Sequence, residues 1–277
     1  MSQKMVLIHG AWLSARSWEN YVDYFGKLGY EVSAPEWPRK DGDVEELRED
    51  SSGLAGLGVE EIVDHYDGLI REMDEAPVIM GHSFGGLFVQ LLLDRGLGCA
   101  GIALDPASPK GVLRIAPSSL KSAGPAINHP SARHGVVTLT PEQFNYGFTN
   151  TFEPEAAAQA YARYAVPETG RIFFEAGFAN FALHSPLKVD YDNSERAPLL
   201  FVAGDKDHTI PAGTVESNYK KYRHSSARTD ILTLEGRSHF HMVQEGWQEA
   251  AASIEEWLCT VNDESAVGVS TSEAVLP

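Results

Sequence analysis

A serine flanked by glycines follows a short apolar run and precedes a helix-like segment. The stretch VIMGHSFGGLF spans residues 78–88, and within it GHSFG fits the pattern G-x-S-x-G. In that pattern the serine occupies a sharp, strained turn, so its neighbours two residues away must lack side chains. The helix that starts at the serine favours negative charge at its N-terminus. Ser83 is therefore the candidate nucleophile.

A serine nucleophile needs a base, and the base needs a carboxylate that orients it. Downstream, an apolar run leads into the loop GDKDHTIP, which carries Asp205 and Asp207. A second run leads into RSHFH, which carries His239 and His241. Each candidate partner thus follows a strand-like run, in the chain order Ser, Asp, His. The pattern predicts nucleophilic acyl chemistry, because these three residue types together can activate a hydroxyl group.

The elements that would position these residues form an alternating pattern. Short apolar runs alternate with amphipathic helix-like segments, which predicts an α/β fold with a mainly parallel six-stranded sheet flanked by helices. The expected strands are residues 5–8, 30–34, 78–80, 99–104, 198–203 and 230–234.

Residues 107–196 interrupt the alternation and predict a helical insertion after the fourth strand. This segment contains seven of the twelve phenylalanines and no convincing strand. Its helices are expected near residues 141–150, 154–164 and 169–183. An aromatic helical insertion at this point suggests a cap, or lid, over a site.

The amino-acid composition of the chain restricts the kinds of molecule that the protein is expected to bind. The 277-residue chain is 43% hydrophobic and 22% charged, with a formal net charge of −17. An acidic protein repels nucleic acid and anionic membranes, so we expect a small, neutral substrate and neither of those partners.

The start of the chain leaves no room for a signal peptide, and we expect a cytoplasmic protein with two buried, reduced cysteines. Residues 262–277 are expected to form a flexible tail, and the oligomeric state is not fixed by the sequence.

The chain resembles an α/β-hydrolase of the serine esterase type from residue 4 to about residue 261. Four short motifs carry the resemblance in order: IHG at the end of the first run, GHSFGG, the GDKD loop, and EGRSH. The chain begins at what resembles the third strand of that family, which implies six strands rather than eight. The resemblance implies a hydrolase core formed by residues 1–106 and 197–261, with residues 107–196 as the cap. It also implies a cofactor-free enzyme. The HFH pair could suggest a metal site, but no cluster of Asp, Glu and His at ligand spacing supports one, so no metal ion is expected.

The same resemblance assigns roles to individual residues. The family usually takes its acid from the second aspartate of the loop, which is Asp207; Asp205 and Asp105, at the end of an earlier strand, remain alternatives. His239 matches the position of the base. The backbone N–H groups of Ala11 and of Phe84 are expected to form the oxyanion hole.

A further set of residues is expected to line the substrate pocket. Trp12 follows the first oxyanion donor, His241 lies two residues beyond the base, and the cap supplies three phenylalanines. The expected pocket residues are Trp12, His241, Phe144, Phe148 and Phe178.

The leading hypothesis for function is hydrolysis of a neutral, partly apolar carboxylic ester or lactone through an acyl-enzyme. A serine in place of an aspartate counts against haloalkane dehalogenases and epoxide hydrolases, and Gly10 counts against plant-type hydroxynitrile lyases. Carbon–carbon bond hydrolases and haloperoxidase-like enzymes keep the same triad and stay open as alternatives. A non-catalytic ligand-binding protein on the same fold is the alternative from another class.

Overall fold

A six-stranded parallel sheet forms the centre of the protein. The computed structural model describes the backbone of residues 3–272 and the side chains of residues 3–263. The sheet order is β2-β1-β3-β4-β7-β8, and every ladder in it is parallel. Its strands are β1 Lys4–Ile8, β2 Glu31–Ser33, β3 Val78–His82, β4 Ala100–Leu104, β7 Leu199–Gly204 and β8 Thr229–Leu234. All six predicted strands are therefore confirmed, as is the fold class.

Helices cover both faces of this sheet, as expected for strands that are buried on both sides. Strands β3, β4 and β7 contain only buried residues. The α-helices are α1 Glu19–Lys27, α2 Val44–Glu49, α3 Val59–Arg71, α4 Phe84–Asp94, α5 Pro117–Ile127, α6 Pro141–Gly147, α7 Pro154–Tyr164, α8 Arg171–Phe178, α9 Ala212–Tyr219 and α10 Trp247–Ser272. Short 3₁₀ helices occupy Ala15–Trp18, Ser52–Leu54, Pro130–His134 and Lys220–His224.

The segment between β4 and β7 contains helices α5 to α8, at the place where the helical insertion was predicted. It also contains two short strands, β5 Val136–Val137 and β6 Glu168–Thr169, which pair antiparallel. The expectation of an insertion without strands was wrong, because strands of two residues are too short to show any period in the sequence. Helix α5 was also missed, since it is rich in small residues and contains Pro125.

The C-terminal segment differs from the expectation in part. Helix α10 continues to Ser272, so the first part of the predicted tail is helical. A segment whose apolar residues do not recur at helical spacing has no face to pack against the core. A helix that has already formed can nevertheless continue into such a segment. Residues 273–277 lie outside the described residues.

Two smaller expectations concern membranes and cysteines. Within the described residues, no helix has both the length and the apolar character needed to cross a membrane. Cys99 is half-buried and Cys259 is exposed, and both are free thiols. The prediction that both cysteines are buried was thus wrong for Cys259, which lies on the outward face of α10 beside the buried Leu258.

Candidate active site

Ser83 occupies the turn between β3 and α4 in a strained backbone conformation. Its φ of 57° and ψ of −118° lie in a region that non-glycine residues rarely adopt, at a cost of about 1–3 kcal/mol. Three backbone hydrogen bonds hold the turn: the Ser83 N–H donates to the Leu104 carbonyl at 2.9 Å, and its carbonyl accepts from Leu87 and Ala107. The surrounding backbone therefore determines the conformation of the serine.

The glycines around this turn allow backbone segments to approach closely. A Cβ atom on Gly81 would lie 2.2 Å from the Gly85 carbonyl oxygen, and one on Gly85 would lie 2.1 Å from the Ile8 oxygen. A Cβ atom on Gly10 would lie 2.8 Å from Ser83 Cβ. These distances explain why the motif requires glycine on each side of the serine.

His239 and Asp207 form a buried pair. The Nδ1 atom of His239 donates to Asp207 Oδ2 at 2.6 Å, and neither side chain is exposed to solvent. The second carboxylate oxygen of Asp207 accepts from the backbone N–H groups of Thr209 and Ile210, at 2.6 and 2.9 Å. The Nε2 atom of His239 is buried without a hydrogen-bond partner among the described residues. The arrangement leaves Nε2 available to a substrate or nucleophile proton.

The segment that carries His239 packs against the serine turn. His82, which precedes Ser83, donates from Nε2 to the His239 carbonyl at 2.7 Å, and the two imidazole rings lie 4.6 Å apart. Burial lowers the pKa of His82 well below its usual range, with His239 and His241 lowering it further. His82 is thus a neutral ring that positions the His239 backbone.

The other two candidate acids make different contacts. Asp205 accepts from the Gly236 N–H at 2.7 Å and pairs with Lys206. Asp105 is fully buried, accepts from the Gly204 N–H at 2.8 Å, and places Oδ2 at 3.2 Å from His241 Nε2. Of the three aspartates, Asp207 is the one that hydrogen-bonds the His239 ring.

Asp105 and His241 form a second buried pair of a carboxyl group and an imidazole. Burial and the neighbouring charge of Asp207 raise the pKa of Asp105 well above its usual range. Burial lowers the pKa of His241 to about 4. Both shifts favour the uncharged forms near neutral pH, so this pair adds no net charge beneath the site.

Three donor groups also lie close enough together to hold a metal ion. His82, Asp105 and His239 each offer one ligand atom, and these atoms lie within 4.8 Å of one another. The spacing of Asp, Glu and His residues along the sequence did not predict this cluster. However, His239 Nδ1 already bonds Asp207, and His82 Nε2 bonds a carbonyl oxygen. The other ring nitrogens, His82 Nδ1 and His239 Nε2, and the Asp105 Oδ2 atom have no hydrogen-bond partner among the described residues.

A cavity of about 190 Å³ opens between the serine turn and the segment that joins β4 to β7, for which we keep the name cap. Ser83, Ala11 and Phe84 lie in its wall, and among the described residues neither the Ala11 nor the Phe84 backbone N–H has an acceptor. The remaining lining residues come mostly from the cap and are largely apolar. They include Trp12, Ala107, Val112, Ile115, Leu120, Ala123, Ile127, Phe148, Phe173, Ala176 and Ile210.

Of the five predicted pocket residues, Trp12 and Phe148 line this cavity. The prediction was wrong for the other three. Phe144 is fully buried and stacks on Phe148, with ring centroids 4.6 Å apart, so it supports the wall from behind. Phe178 is 61% exposed on the outer side of α8. His241 is buried under the site, beside Asp105, because the residue two positions after His239 turns into the core.

Comparison with known proteins assigns the chain to a family. The sequence profile described as "Alpha/beta hydrolase family" matches residues 5–253. The chain belongs to the alpha/beta hydrolase family. The match covers the core on both sides of the cap, the serine turn and the His239 segment. No curated protein sequence matches this alpha/beta hydrolase.

Solved structures of similar fold agree with this assignment. A monoacylglycerol lipase of Paleococcus ferrophilus is 20% identical, with a TM-score of 0.65, covering 93% of this chain and 94% of its own. An extracellular alpha/beta-hydrolase from a Paenibacillus species is 20% identical, with a TM-score of 0.63 and coverage of 92% and 98%. A pyrethroid hydrolase of Sphingobium faniae is 16% identical, with a TM-score of 0.63 and coverage of 93% and 97%. Likeness at these identities establishes the fold.

Two aromatic rings that line the cavity of this alpha/beta hydrolase were not predicted from the sequence. The Phe173 ring stacks on Trp12 at 4.3 Å between centroids, and the Phe84 ring meets Phe173 edge-on at 5.2 Å. Phe173 belongs to a run of aromatic residues in which no local signal distinguishes a lining ring from a packing ring. For Phe84, only the backbone N–H was assigned a role, although a residue that opens a helix beneath a cap can also present its ring to the cavity.

Proposed function

We propose that this alpha/beta hydrolase is a serine hydrolase that cleaves a small, partly apolar carboxylic ester or lactone through an acyl-enzyme. One observation carries the proposal: the Asp207–His239 pair leaves the His239 Nε2 atom buried and unpartnered, and His82 fastens this segment to the turn that holds Ser83. A base that is oriented in this way serves acyl transfer.

In the first half of the proposed reaction, Ser83 Oγ attacks the carbonyl carbon while its proton passes to His239 Nε2. The carbonyl oxygen becomes an oxyanion, which accepts hydrogen bonds from the backbone N–H groups of Ala11 and Phe84. Collapse of this intermediate breaks the bond to the alcohol oxygen, and His239 returns the proton to that oxygen. The alcohol leaves and the acyl group stays on Ser83.

In the second half, water attacks the acyl carbonyl and gives its proton to His239. The second tetrahedral intermediate collapses to the carboxylic acid, and Ser83 recovers its proton. Asp207 keeps its hydrogen bond to the ring and stabilises the imidazolium that forms twice in each cycle. No cofactor is required by this scheme, because every proton and electron pair is transferred between the substrate, water and these side chains.

The cavity supports a substrate with an apolar portion. Its lining is dominated by aliphatic and aromatic side chains, while the net charge of the protein, −17, disfavours anionic substrates and nucleic acid. Several proteins of similar fold are named as a lipase, an esterase and a pyrethroid hydrolase, which supports an ester as the bond that is cleaved. The free thiols of Cys99 and Cys259 support a location in the reducing cytoplasm.

Labelling with a fluorophosphonate probe tests the proposed function. The folded protein should react covalently at Ser83 and should hydrolyse p-nitrophenyl esters, with activity depending on acyl length. Ser83→Ala should retain the circular dichroism spectrum and melting temperature, but lose labelling and turnover. A wild-type protein that neither reacts with the probe nor hydrolyses any ester or lactone of a graded panel would point to a ligand-binding protein instead.

A further inference from the structure

A glutamate of the cap reaches into the core and contacts the loop that carries the proposed oxyanion donor. The side chain of Glu168, in β6, is fully buried, and its Oε2 atom accepts from the Trp12 backbone N–H at 3.2 Å. Trp12 directly follows Ala11 in the chain. The N–H groups of these two residues lie on consecutive peptide planes, so fixing one constrains the orientation of the other.

Trp12 needs such support, because its φ is 60°. This left-handed conformation is unfavourable for a residue with a large side chain and persists only where neighbouring groups hold it. The cap supplies two further contacts: the Val166 N–H donates to the Trp12 carbonyl at 3.0 Å, and the indole Nε1 donates to the Val137 carbonyl at 3.0 Å. All three hydrogen bonds of Trp12 thus come from the cap segment that contains β5 and β6.

Lys40 completes the arrangement from the core. Its Nζ atom lies 2.6 Å from the same Glu168 oxygen, both side chains are fully buried, and the ammonium group lies 4.8 Å from the centre of the Trp37 ring. The other Glu168 oxygen accepts from the Thr169 N–H at 2.9 Å. A buried ion pair contributes little net stability compared with apolar residues of the same shape, which makes a role in orientation the more informative explanation.

We propose that Glu168, held by Lys40, is a positioning residue that fixes the Ala11–Trp12 peptide so that the Ala11 N–H faces the oxyanion. The proposal rests on the proposed function, because it assigns a purpose to the loop that contacts the reacting carbonyl oxygen. Glu168 itself does not line the cavity and touches no substrate. The cap would then do more than cover the site, since one of its side chains orders the catalytic backbone.

Two charge-free double variants test this role without leaving a buried charge unpaired. Lys40→Met with Glu168→Gln keeps a side-chain oxygen that can accept from the Trp12 N–H. Lys40→Met with Glu168→Leu keeps the volume but removes the acceptor. Losing one oxyanion donor typically reduces kcat by ~10²–10³, so we expect the leucine variant to lose at least about tenfold in kcat relative to the glutamine variant. KM for a short p-nitrophenyl ester should stay within about twofold, because neither of the replaced side chains lines the cavity.

A second readout separates orientation from general loosening of the fold. A trifluoromethyl ketone that forms a tetrahedral adduct on Ser83 reports the oxyanion contact, so its inhibition constant should rise in parallel with the loss of kcat. Glu168→Asp, with Lys40 intact, withdraws the carboxylate by one methylene group and should lower kcat in the same direction. This variant keeps both charges and provides the test if the leucine variant does not fold.

Equal kcat and equal inhibition constants in the glutamine and leucine variants would overturn the proposal, as would an aspartate variant with wild-type kcat. These outcomes differ from failure of the proposed function. In that case the wild-type protein itself would neither bind the ketone covalently nor hydrolyse esters. If the wild type is active and the variants match it, the hydrolase assignment stands and the positioning role of Glu168 does not.

Discussion

The Nδ1 atom of His239 lies 2.6 Å from Asp207 Oδ2, while the other oxygen of that carboxylate accepts from two backbone N–H groups. The carboxylate cannot rotate without breaking the bonds to Thr209 and Ile210. The proton of the neutral imidazole is therefore held on Nδ1, and Nε2 keeps its lone pair. This tautomer is the one that the general base of the proposed reaction requires.

Asp207→Asn should abolish most of the activity. An asparagine can present its amide nitrogen to His239 and stabilise the wrong tautomer, which is expected to lower kcat by on the order of 10³–10⁴. The matched control is Asp205→Asn, two residues earlier, because Asp205 contacts Lys206 and Gly236 instead of the imidazole. Its kcat should stay within a few-fold of the wild type. A larger loss for Asp205→Asn than for Asp207→Asn would contradict the assignment of the acid.

Gly10→Ala should damage the site through its backbone. The added Cβ would lie 2.8 Å from Ser83 Cβ and 3.0 Å from His82 Nδ1, so the loop carrying Ala11 must shift. Since catalysis depends on sub-ångström positioning, we expect kcat to fall about tenfold or more.

Gly68→Ala is the control for Gly10→Ala. Gly68 lies inside α3, and nothing stands within 4 Å of an added Cβ. That change should leave kcat unaltered and raise the free energy of unfolding in urea by about 0.5–1 kcal/mol, because alanine loses less backbone entropy in a helix. Wild-type kcat in Gly10→Ala would show that the close packing behind the serine is not required for turnover.

The sheet and the order of the motifs were predictable because both depend on local signals. Each strand reads as a short apolar run, and the glycines around Ser83 form a short pattern that is recognisable without knowing that Ile8, in another strand, packs against Gly85. The Asp207–His239 bond was accessible from the sequence for a similar reason: both residues follow strands, and parallel strands bring their carboxyl ends to one edge of the sheet.

The cap could be predicted from the sequence only in part. Its helices follow patterns, but which aromatic ring faces the cavity depends on how the helices pack against the core. Phe144 and Phe178 were expected in the pocket, whereas Phe173 lines it. No short-range pattern around these three residues indicates which ring faces the cavity. The Lys40–Glu168 pair joins residues 128 positions apart, and nothing local distinguishes these two charges from the exposed ones.

Phe173→Ala should change both stability and substrate preference. The side chain is 8% exposed, lines the cavity and stacks on Trp12. Its removal is expected to lower the free energy of unfolding by about 3 kcal/mol and to enlarge the cavity. The ratio of kcat/KM for bulky acyl esters to that for acetate esters should therefore rise.

Phe178→Ala serves as the matched control for that change, because Phe178 lies in the same helix but is 61% exposed. Stability should change by no more than about 0.5 kcal/mol, and the acyl preference should stay as in the wild type. An altered acyl preference in Phe178→Ala, with none in Phe173→Ala, would show that the cavity wall is assigned to the wrong ring.

The buried histidines predict that stability falls as the solution is acidified. Burial lowers the pKa of His241 to about 4, whereas an unfolded histidine titrates near 6.5. Between these values the unfolded chain binds a proton that the folded chain does not, so the free energy of unfolding decreases as pH falls. At pH 5 the contribution of His241 amounts to a loss of about 2 kcal/mol relative to pH 7. His82, whose pKa is also lowered by burial, acts in the same direction.

Urea unfolding at pH 7 and pH 5 measures this effect in the wild type and in His241→Gln, which should lose stability less steeply on acidification. Asp105, 3.2 Å from His241, acts with the opposite sign: its raised pKa gives stability that is present at low pH and is lost as pH rises. It remains in both proteins, so the difference between their slopes reports His241. His184→Gln, at an exposed position, should keep the wild-type slope. An unchanged slope in His241→Gln would show that this imidazole accepts a proton in the folded protein.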